Sequence, residues 1–256
     1  ADDVPRDGRH VQMPRGLPPM LATLGTADDV SGGGWQWEGK WDGVRAIAEV
    51  ADGVVTAHGR SGADITATYP ELAELGDALA DHAVVLDGEV IALDSDGAPR
   101  FGLLQQRMGR TKTRDVEAAA AQQTVHFYVF DILYLDGIPL TAKPLADRRR
   151  ILDRLGLETE HCHVPPLLAG PTQDALAESR RRGLEGVVAK KARSVYLPGK
   201  RPGTWIKVKF RATQDVIVVG WRPGRGAARV ASARCCSLCP PPAMTVFAMR
   251  DRKSVV

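Results

Sequence analysis

Lys40-Trp41-Asp42-Gly43-Val44-Arg45 closes an apolar-alternating run that begins near Trp35, and the reading of this chain turns on it. The stretch sets a lysine two residues before an acid and five before an arginine. A lysine amine attacks phosphorus only in its unprotonated form, which nearby cations and a bound metal favour. Asp42 can hold the amine or the metal. Gly43 lets the backbone turn tightly or approach a ligand. Arg45 offers a planar fork of donors to a phosphate or a ribose. On these six residues alone, a hairpin turn at Asp42-Gly43 between two strands fits as well.

The rest of the chain supplies partners in a fixed order. Val84 to Leu93 is an apolar strand pattern with Glu89 inside it, and Phe127 to Leu135 is a second, rich in aromatics. Glu185-Gly186-Val187-Val188-Ala189-Lys190 puts an acid and a lysine at the ends of a short strand. Trp205-Ile206-Lys207-Val208-Lys209 alternates, so both lysines share one face. With Pro19-Met20-Leu21-Ala22 and Trp37-Glu38-Gly39-Lys40, this order resembles the covalent nucleotidyltransferases. It is most similar to ATP-dependent DNA ligases, and among them to the ligase domain of bacterial end-joining DNA ligase D. The resemblance covers roughly residues 17 to 226.

The resemblance implies an ATP-dependent DNA ligase core that forms a covalent lysyl-AMP and seals nicks in duplex DNA during end joining. Lys40 is then the nucleophile, and Asp42 orients the metal or an attacking group. Glu38 lines the adenine pocket with Trp37, and Phe130 stacks on the base. Arg45 and Arg60 contact ribose and phosphate. Glu89 touches the ribose or the metal shell. Lys190, Lys207 and Lys209 meet the phosphates and the leaving pyrophosphate. Glu185 is the best ligand for Mg²⁺ or Mn²⁺. ATP is the cofactor, and nicked or broken double-stranded DNA the partner. Upstream polymerase and phosphoesterase domains and an end-binding protein are further implied partners. On the residues alone, Arg60 and Glu89 also fit solvated positions, Phe130 an ordinary core aromatic, and the alternating lysines an edge-strand guard. An RNA ligase, a capping-type guanylyltransferase and a non-catalytic nucleic-acid-binding remnant stay open as alternatives.

Basic clusters at Arg107 to Arg114, Arg148 to Arg150, Arg180 to Arg182 and Lys200-Arg201 read as a DNA-phosphate surface or as solvated faces. The net charge of +3 permits a nucleic-acid partner without predicting one. No apolar run reaches membrane-spanning length and no signal pattern opens the chain, so a cytoplasmic, nucleoid-associated location in a bacterium is expected. Cys235, Cys236 and Cys239 lack the paired spacing of a structural zinc site.

The pattern predicts an α+β fold. Strands run from Trp35 to about Asp94, with an Ala51-Asp52-Gly53 hairpin signal. Helices are expected over 70–79, 101–109, 113–123, 144–155 and 172–182, and strands over 124–135, 186–191 and 204–210. The resemblance implies an ATP-grasp-like nucleotidyltransferase fold: two mainly antiparallel sheets, flanking helices and a nucleotide pocket between the sheets. Residues 1–16 read as a linker or disordered lead, 17–211 as the adenylation domain, and 212–256 as the start of an oligonucleotide-binding barrel. That barrel is expected to be missing or disrupted, because strand alternation fails after about residue 226. The tail is either natural or the product of a reading-frame error, and low activity is expected of the chain as it stands.

Overall fold

Strands form where β-branched and aromatic residues cluster, and in the computed structural model those up to Lys209 assemble into two sheets. The structure describes residues 12–210, 217–222 and 234–238. Its strands are Thr23–Gly25 (β1), Trp35–Gly39 (β2), Val44–Ala51 (β3), Val54–Gly59 (β4), Val84–Ile91 (β5), His126–Leu135 (β6), Ile138–Pro139 (β7), Cys162–His163 (β8), Gly186–Lys191 (β9) and Trp205–Lys209 (β10). Its helices are Glu74–Ala78 (α1), Phe101–Leu104 (α2), Thr113–Gln122 (α3), Leu145–Arg154 (α4) and Thr172–Arg181 (α5).

The first sheet has the order β1-β10-β9-β2 and is antiparallel except where β1 lies beside β10. The second has the order β4-β3-β5-β6-β7, is antiparallel, and takes β8 in parallel beside β6. The expected pair of mainly antiparallel sheets with flanking helices is therefore present. Asp52 and Gly53 both have positive φ, the geometry of a tight hairpin turn, and they join β3 to β4. Asp42-Gly43 makes no hairpin. It carries the chain from the first sheet to the second, and a Cβ on Gly43 would lie 2.2 Å from the Val90 carbonyl oxygen. This close approach to β5 needs glycine, and Gly43 also lines a cavity beside Lys40.

Alternation along β3 divides the protein into two cores. Ala46, Ala48 and Val50 enter a large apolar cluster with Leu72, Leu75, Leu86, Phe127, Val129, Ile132 and Leu152. Ile47 enters a second cluster with Met20, Val85, Leu133, Tyr196 and Trp205. Each buried Leu, Val or Phe side chain contributes about 1.5–3 kcal/mol of transfer free energy. Met13, within the expected lead, packs on this second cluster, and Gly16 donates its N–H to Glu49 at 2.6 Å. Glu49 is buried on β3 and draws the segment in, because a buried carboxylate needs donors.

Two helical expectations shorten. Residues 70–73 form a 3₁₀ turn ahead of α1. The 101–109 helix stops at Leu104, because Arg107 turns inward to Glu71 at 2.5 Å and Gly109 takes positive φ. The basic clusters divide as well. Arg107, Arg148 and Arg149 are buried, whereas Arg110, Lys112, Arg114, Arg150, Arg180 to Arg182, Lys200 and Arg201 are exposed. Arg148 forms a fork onto Asp131 at 2.7 and 2.8 Å, and Arg149 reaches Asp153 and the Pro165 carbonyl. These three hold the fold and are withdrawn from any DNA surface. Within α4, which packs against β6, each residue advances about 100°, so Arg148 and Arg149 turn inward while Arg150 faces solvent.

The chain divides into two compact units at Lys209/Phe210. In the second unit Ile217–Arg222 (β11) pairs antiparallel with Arg234–Leu238 (β12). Sequence alternation gave no strand at 234–238, but a paired backbone needs only an extended partner, whatever its side chains. No closed barrel is found among the described residues. The expected lead over 1–11 and the expected aberrant tail over 227–233 and 239–256, with Cys239, lie outside the described residues. Among the described residues, no helix is long and apolar enough to cross a membrane.

Asp131→Ala would leave the Arg148 guanidinium buried and unpaired, and a loss of about 3–5 kcal/mol in urea unfolding is expected. Arg150→Ala, whose exposed side chain pairs with Asp147, should change stability by less than about 1 kcal/mol in the same measurement.

Candidate active site

Lys40 immediately follows β2 and Glu185 immediately precedes β9. These strands are antiparallel neighbours with Gly39 opposite Val187, so two residues 145 apart in sequence meet. The ladder continues past the strand ends: Lys40 N donates to Gly186 O at 2.9 Å and Glu185 N to Lys40 O at 3.3 Å. A Cβ on Gly186 would sit 2.1 Å from the Val208 carbonyl oxygen, so only glycine lets β10 lie this close beside Glu185.

Lys40 Nζ donates to the Glu185 carboxylate, which also accepts from Lys209 Nζ at 2.5 Å. Burial works to raise the Glu185 carboxyl, but the hydrogen bonds and charges of Lys209 and Lys40 outweigh it and hold the group below its ordinary range. Burial lowers Lys207, and its cationic neighbours Lys209, Lys40, Arg201 and Arg60 lower it further. Lys207 thus stands among four other cations, of which Lys40 and Lys209 share the Glu185 carboxylate, a concentration of positive charge suited to a polyanion.

Register sets the inner face of the first sheet. Glu38, Val188 and Lys207 form one cross-strand row, and Gln36, Lys190 and Trp205 the next. All of these except Gln36, together with Arg45, Arg60, Glu89 and Phe130, bound a cavity of about 360 Å³ whose lining includes Lys40. Of the residues named from sequence, Glu38, Lys40, Arg45, Arg60, Glu89, Phe130, Lys190 and Lys207 line this cavity together. Glu185 and Lys209 join it through Lys40 rather than lining it. Asp42 lies in the loop after Lys40, near enough to Glu89 for its charge to favour the protonated form there.

Two positions have neighbours that the sequence did not reveal. Lys190 is 2% exposed and pairs with Glu38 at 2.6 Å, its ammonium 4.2 Å from the Phe130 ring centre and 4.1 Å from that of Trp205. It stands at the inner end of the cavity, in an aromatic box. Burial pushes Glu38 up and Lys190 down, each opposed by the other's charge. Phe130 is 7% exposed and has Arg45 4.6 Å from its ring centre, so here it faces cations. Arg45 itself forms a fork onto Asp87 at 2.5 and 2.6 Å.

Sequence reading missed Trp205 and Asp87. Trp205 was legible, since it shares the face of Lys207 and Lys209 by the period of two. Asp87 gave no signal, because its partners Arg45 and Tyr196 lie on distant segments.

The carboxylates nearest Lys40 are Glu185, Glu89 and Asp42, all hard oxygen donors, and Glu185 already serves two cations. This donor set fits Mg²⁺ or Mn²⁺.

A family profile described as ATP dependent DNA ligase domain matches residues 19–209. The multifunctional non-homologous end joining protein LigD of Mycobacterium bovis is 45% identical over 210 residues, 82% of this chain and 26% of its own length. A probable DNA ligase of Sorangium cellulosum is 36% identical over 227 residues, 84% of this chain and 41% of its own length. A solved structure of mycobacterial DNA ligase D complexed with ATP and MES superposes with a TM-score of 0.68 at 45% identity. That match covers 80% of this chain and 64% of the other. The chain thus spans about a quarter of the length of the LigD relatives.

Burial raises the Glu89 carboxyl to about 7, against the pull of Arg45 and Lys40. The folded protein therefore binds a proton that the unfolded chain has released above pH 4.5. That contribution to stability is present at low pH and is lost as pH rises through about 7. Glu89→Gln should flatten this fall, gaining on the order of 1–3 kcal/mol over the wild type by pH 8. Urea melts of both proteins from pH 5 to 8 read the difference.

Proposed function

The chain belongs to the ATP-dependent DNA ligase domain family, and on that footing we propose that it is the adenylate-forming core of an end-joining DNA ligase. The carrying observation is Lys40, held by Glu185, which it shares with Lys209, at a cavity lined by Arg60, Arg201 and Lys207. In the proposed reaction, Lys40 Nζ attacks the α-phosphorus of ATP. The N–P bond forms, the bond to the bridging oxygen breaks, and pyrophosphate leaves while the amine loses its proton. A 5′-phosphate oxygen at a DNA nick then attacks the AMP phosphorus and releases the lysine. The 3′-hydroxyl finally attacks the activated 5′-phosphate, and AMP departs. All three steps are in-line displacements that rest on positioning and charge neutralisation.

Glu185 and Asp42 are assigned to Mg²⁺ or Mn²⁺, which when bound neutralises charge on the phosphate oxygens. Lys207, Lys209 and Arg60 are assigned to the triphosphate, and Arg45 and Glu89 to the sugar. Glu38 and Lys190 are reassigned together to the base. Adenine offers an amine at position 6 and an acceptor at N1, and guanine reverses both. With Glu38 at the amine and Lys190 at N1, the pair selects adenine, which speaks against the capping-type alternative. Lys190 leaves the Phe130 face when the base enters to stack there. Strand alternation fails after about residue 226, where the barrel is expected, and on that ground slow self-adenylation is proposed for this chain.

Incubation with α-labelled ATP and Mn²⁺ should leave a covalent label on a denaturing gel. Lys40→Ala should abolish the label, and Glu38→Gln should lower it about 10–100-fold while narrowing the preference for ATP over GTP. A label that survives Lys40→Ala would refute the assignment. Sealing of a pre-adenylated nick separates an impaired ligase from a remnant that only binds DNA.

A further inference from the structure

Three histidines and a tyrosine share one face at the end of the second sheet. β8 runs parallel to β6, with Phe127 opposite Cys162 and Tyr128 opposite His163. Phe127 and Cys162 are fully buried in the large apolar core. Alternation therefore sends His126, Tyr128, His161 and His163 to the other face. There His126 Nδ1 lies 3.4 Å from His163 Nε2, and the His126 ring centre is 5.5 Å from that of His163 and 5.6 Å from that of His161.

Carboxylates fix the two flanking rings. Glu74 accepts from His161 Nδ1, and Glu158 accepts from His163 Nδ1 at 2.5 Å. An ionised carboxylate only accepts, so each neutral ring carries its proton on Nδ1 and presents a lone pair at Nε2. This carboxylate–imidazole arrangement is the one that orients histidines toward a metal. Glu160 adds a carboxylate oxygen 3.9 Å from His161 Nε2, and ligand atoms of Glu74, Glu160 and His161 all lie within 4.8 Å of one another.

We propose that this face binds one transition-metal ion of the zinc class through His126 Nδ1 and His163 Nε2, with His161, its ring centre 5.6 Å from that of His126, turning in as a third ligand. Metal–nitrogen bonds of about 2.0–2.1 Å at a tetrahedral angle place two nitrogens about 3.4 Å apart, the spacing of His126 and His163. They also place two imidazole centres about 5 Å apart, close to both ring distances. The site is separate from the Lys40 cavity, and its nitrogen donors differ from the hard oxygens there. It reaches that cavity through rings: Tyr128 packs edge-on to His163 at 5.6 Å and to Trp41 at 4.6 Å. An ion here would brace the strand ends beneath the loop that carries the nucleophile.

The test is titration of chelator-treated full chain with Zn²⁺ by calorimetry and with Co²⁺ by absorption. One ion per chain is expected, with a dissociation constant of about 10 μM or tighter and a rise in Tm on binding. A His126→Ala/His163→Ala variant should bind at least about 100-fold more weakly, and Glu158→Gln about 10–100-fold more weakly. The second variant keeps every ligand, so it carries the test if the first does not fold. A Cys235→Ser/Cys236→Ser/Cys239→Ser variant and Glu185→Gln should bind as the wild type does, and Co²⁺ should give no thiolate charge-transfer band. Absence of binding below about 100 μM would overturn the proposal. So would binding that survives the histidine and Glu158 variants, or binding lost with the cysteines or Glu185.

Discussion

Two carboxylates with no exposed surface, Asp87 and Asp131, stand directly opposite each other on β5 and β6. Like charges in that register repel, and each carries a desolvation cost that nothing apolar offsets. The structure satisfies both with forked guanidinium pairs, Arg45 on Asp87 and Arg148 on Asp131. Each pair then extends outward. Asp87 also accepts from the Tyr196 hydroxyl at 2.6 Å, and Tyr196 in turn accepts from Met20 N at 2.8 Å. Arg148 reaches the carbonyls of Lys143 and Ser194. Segments near Met20, Lys143 and Ser194 are thereby tied to one pair of adjacent acids. The second core and the inner wall of the cavity rest on this arrangement.

Arg45 shows how the same constraint serves the site. Its guanidinium closes the charge of Asp87 on one side, lies 4.6 Å from the Phe130 ring centre and lines the cavity. A residue fixed by two forked bonds presents its remaining surface to a ligand without losing rotamer freedom on binding. Lys40 is held differently. Its anchor is backbone pairing across β2 and β9, and its side chain has one acidic partner that it shares with Lys209. The fixed group suits a positioning task and the shared one suits a group that must move.

Much of this was legible from the chain, for identifiable reasons. Period-two alternation gave the shared face of Lys207 and Lys209, and the Asp52-Gly53 turn followed from residues that tolerate positive φ. The resemblance gathered eight of the named residues around one cavity. What escaped was whatever depends on partners far apart in sequence. Lys190 reads as one more cation until Glu38, Phe130 and Trp205 are seen around it. Arg107 and Arg148 read as surface charge until Glu71 and Asp131 are placed beside them. A sequence states that a charge exists but not whether another segment will neutralise it, and that decides between a DNA surface and a buried brace.

The Glu38–Lys190 pair carries this argument furthest. Burial pushes the acid up and the lysine down, so desolvation opposes the charges that hold the pair together. The Arg148–Asp131 fork differs, because two parallel charge-assisted bonds and the carbonyls of Lys143 and Ser194 hold the guanidinium in place. A flat base with one donor and one acceptor on its edge replaces each half of the pair with a hydrogen bond. It also gives Phe130 and Trp205 a ring face in place of an ammonium. The box around Lys190 therefore has the polarity of the ligand proposed for it, with the lysine ammonium lying between Glu38, Phe130 and Trp205.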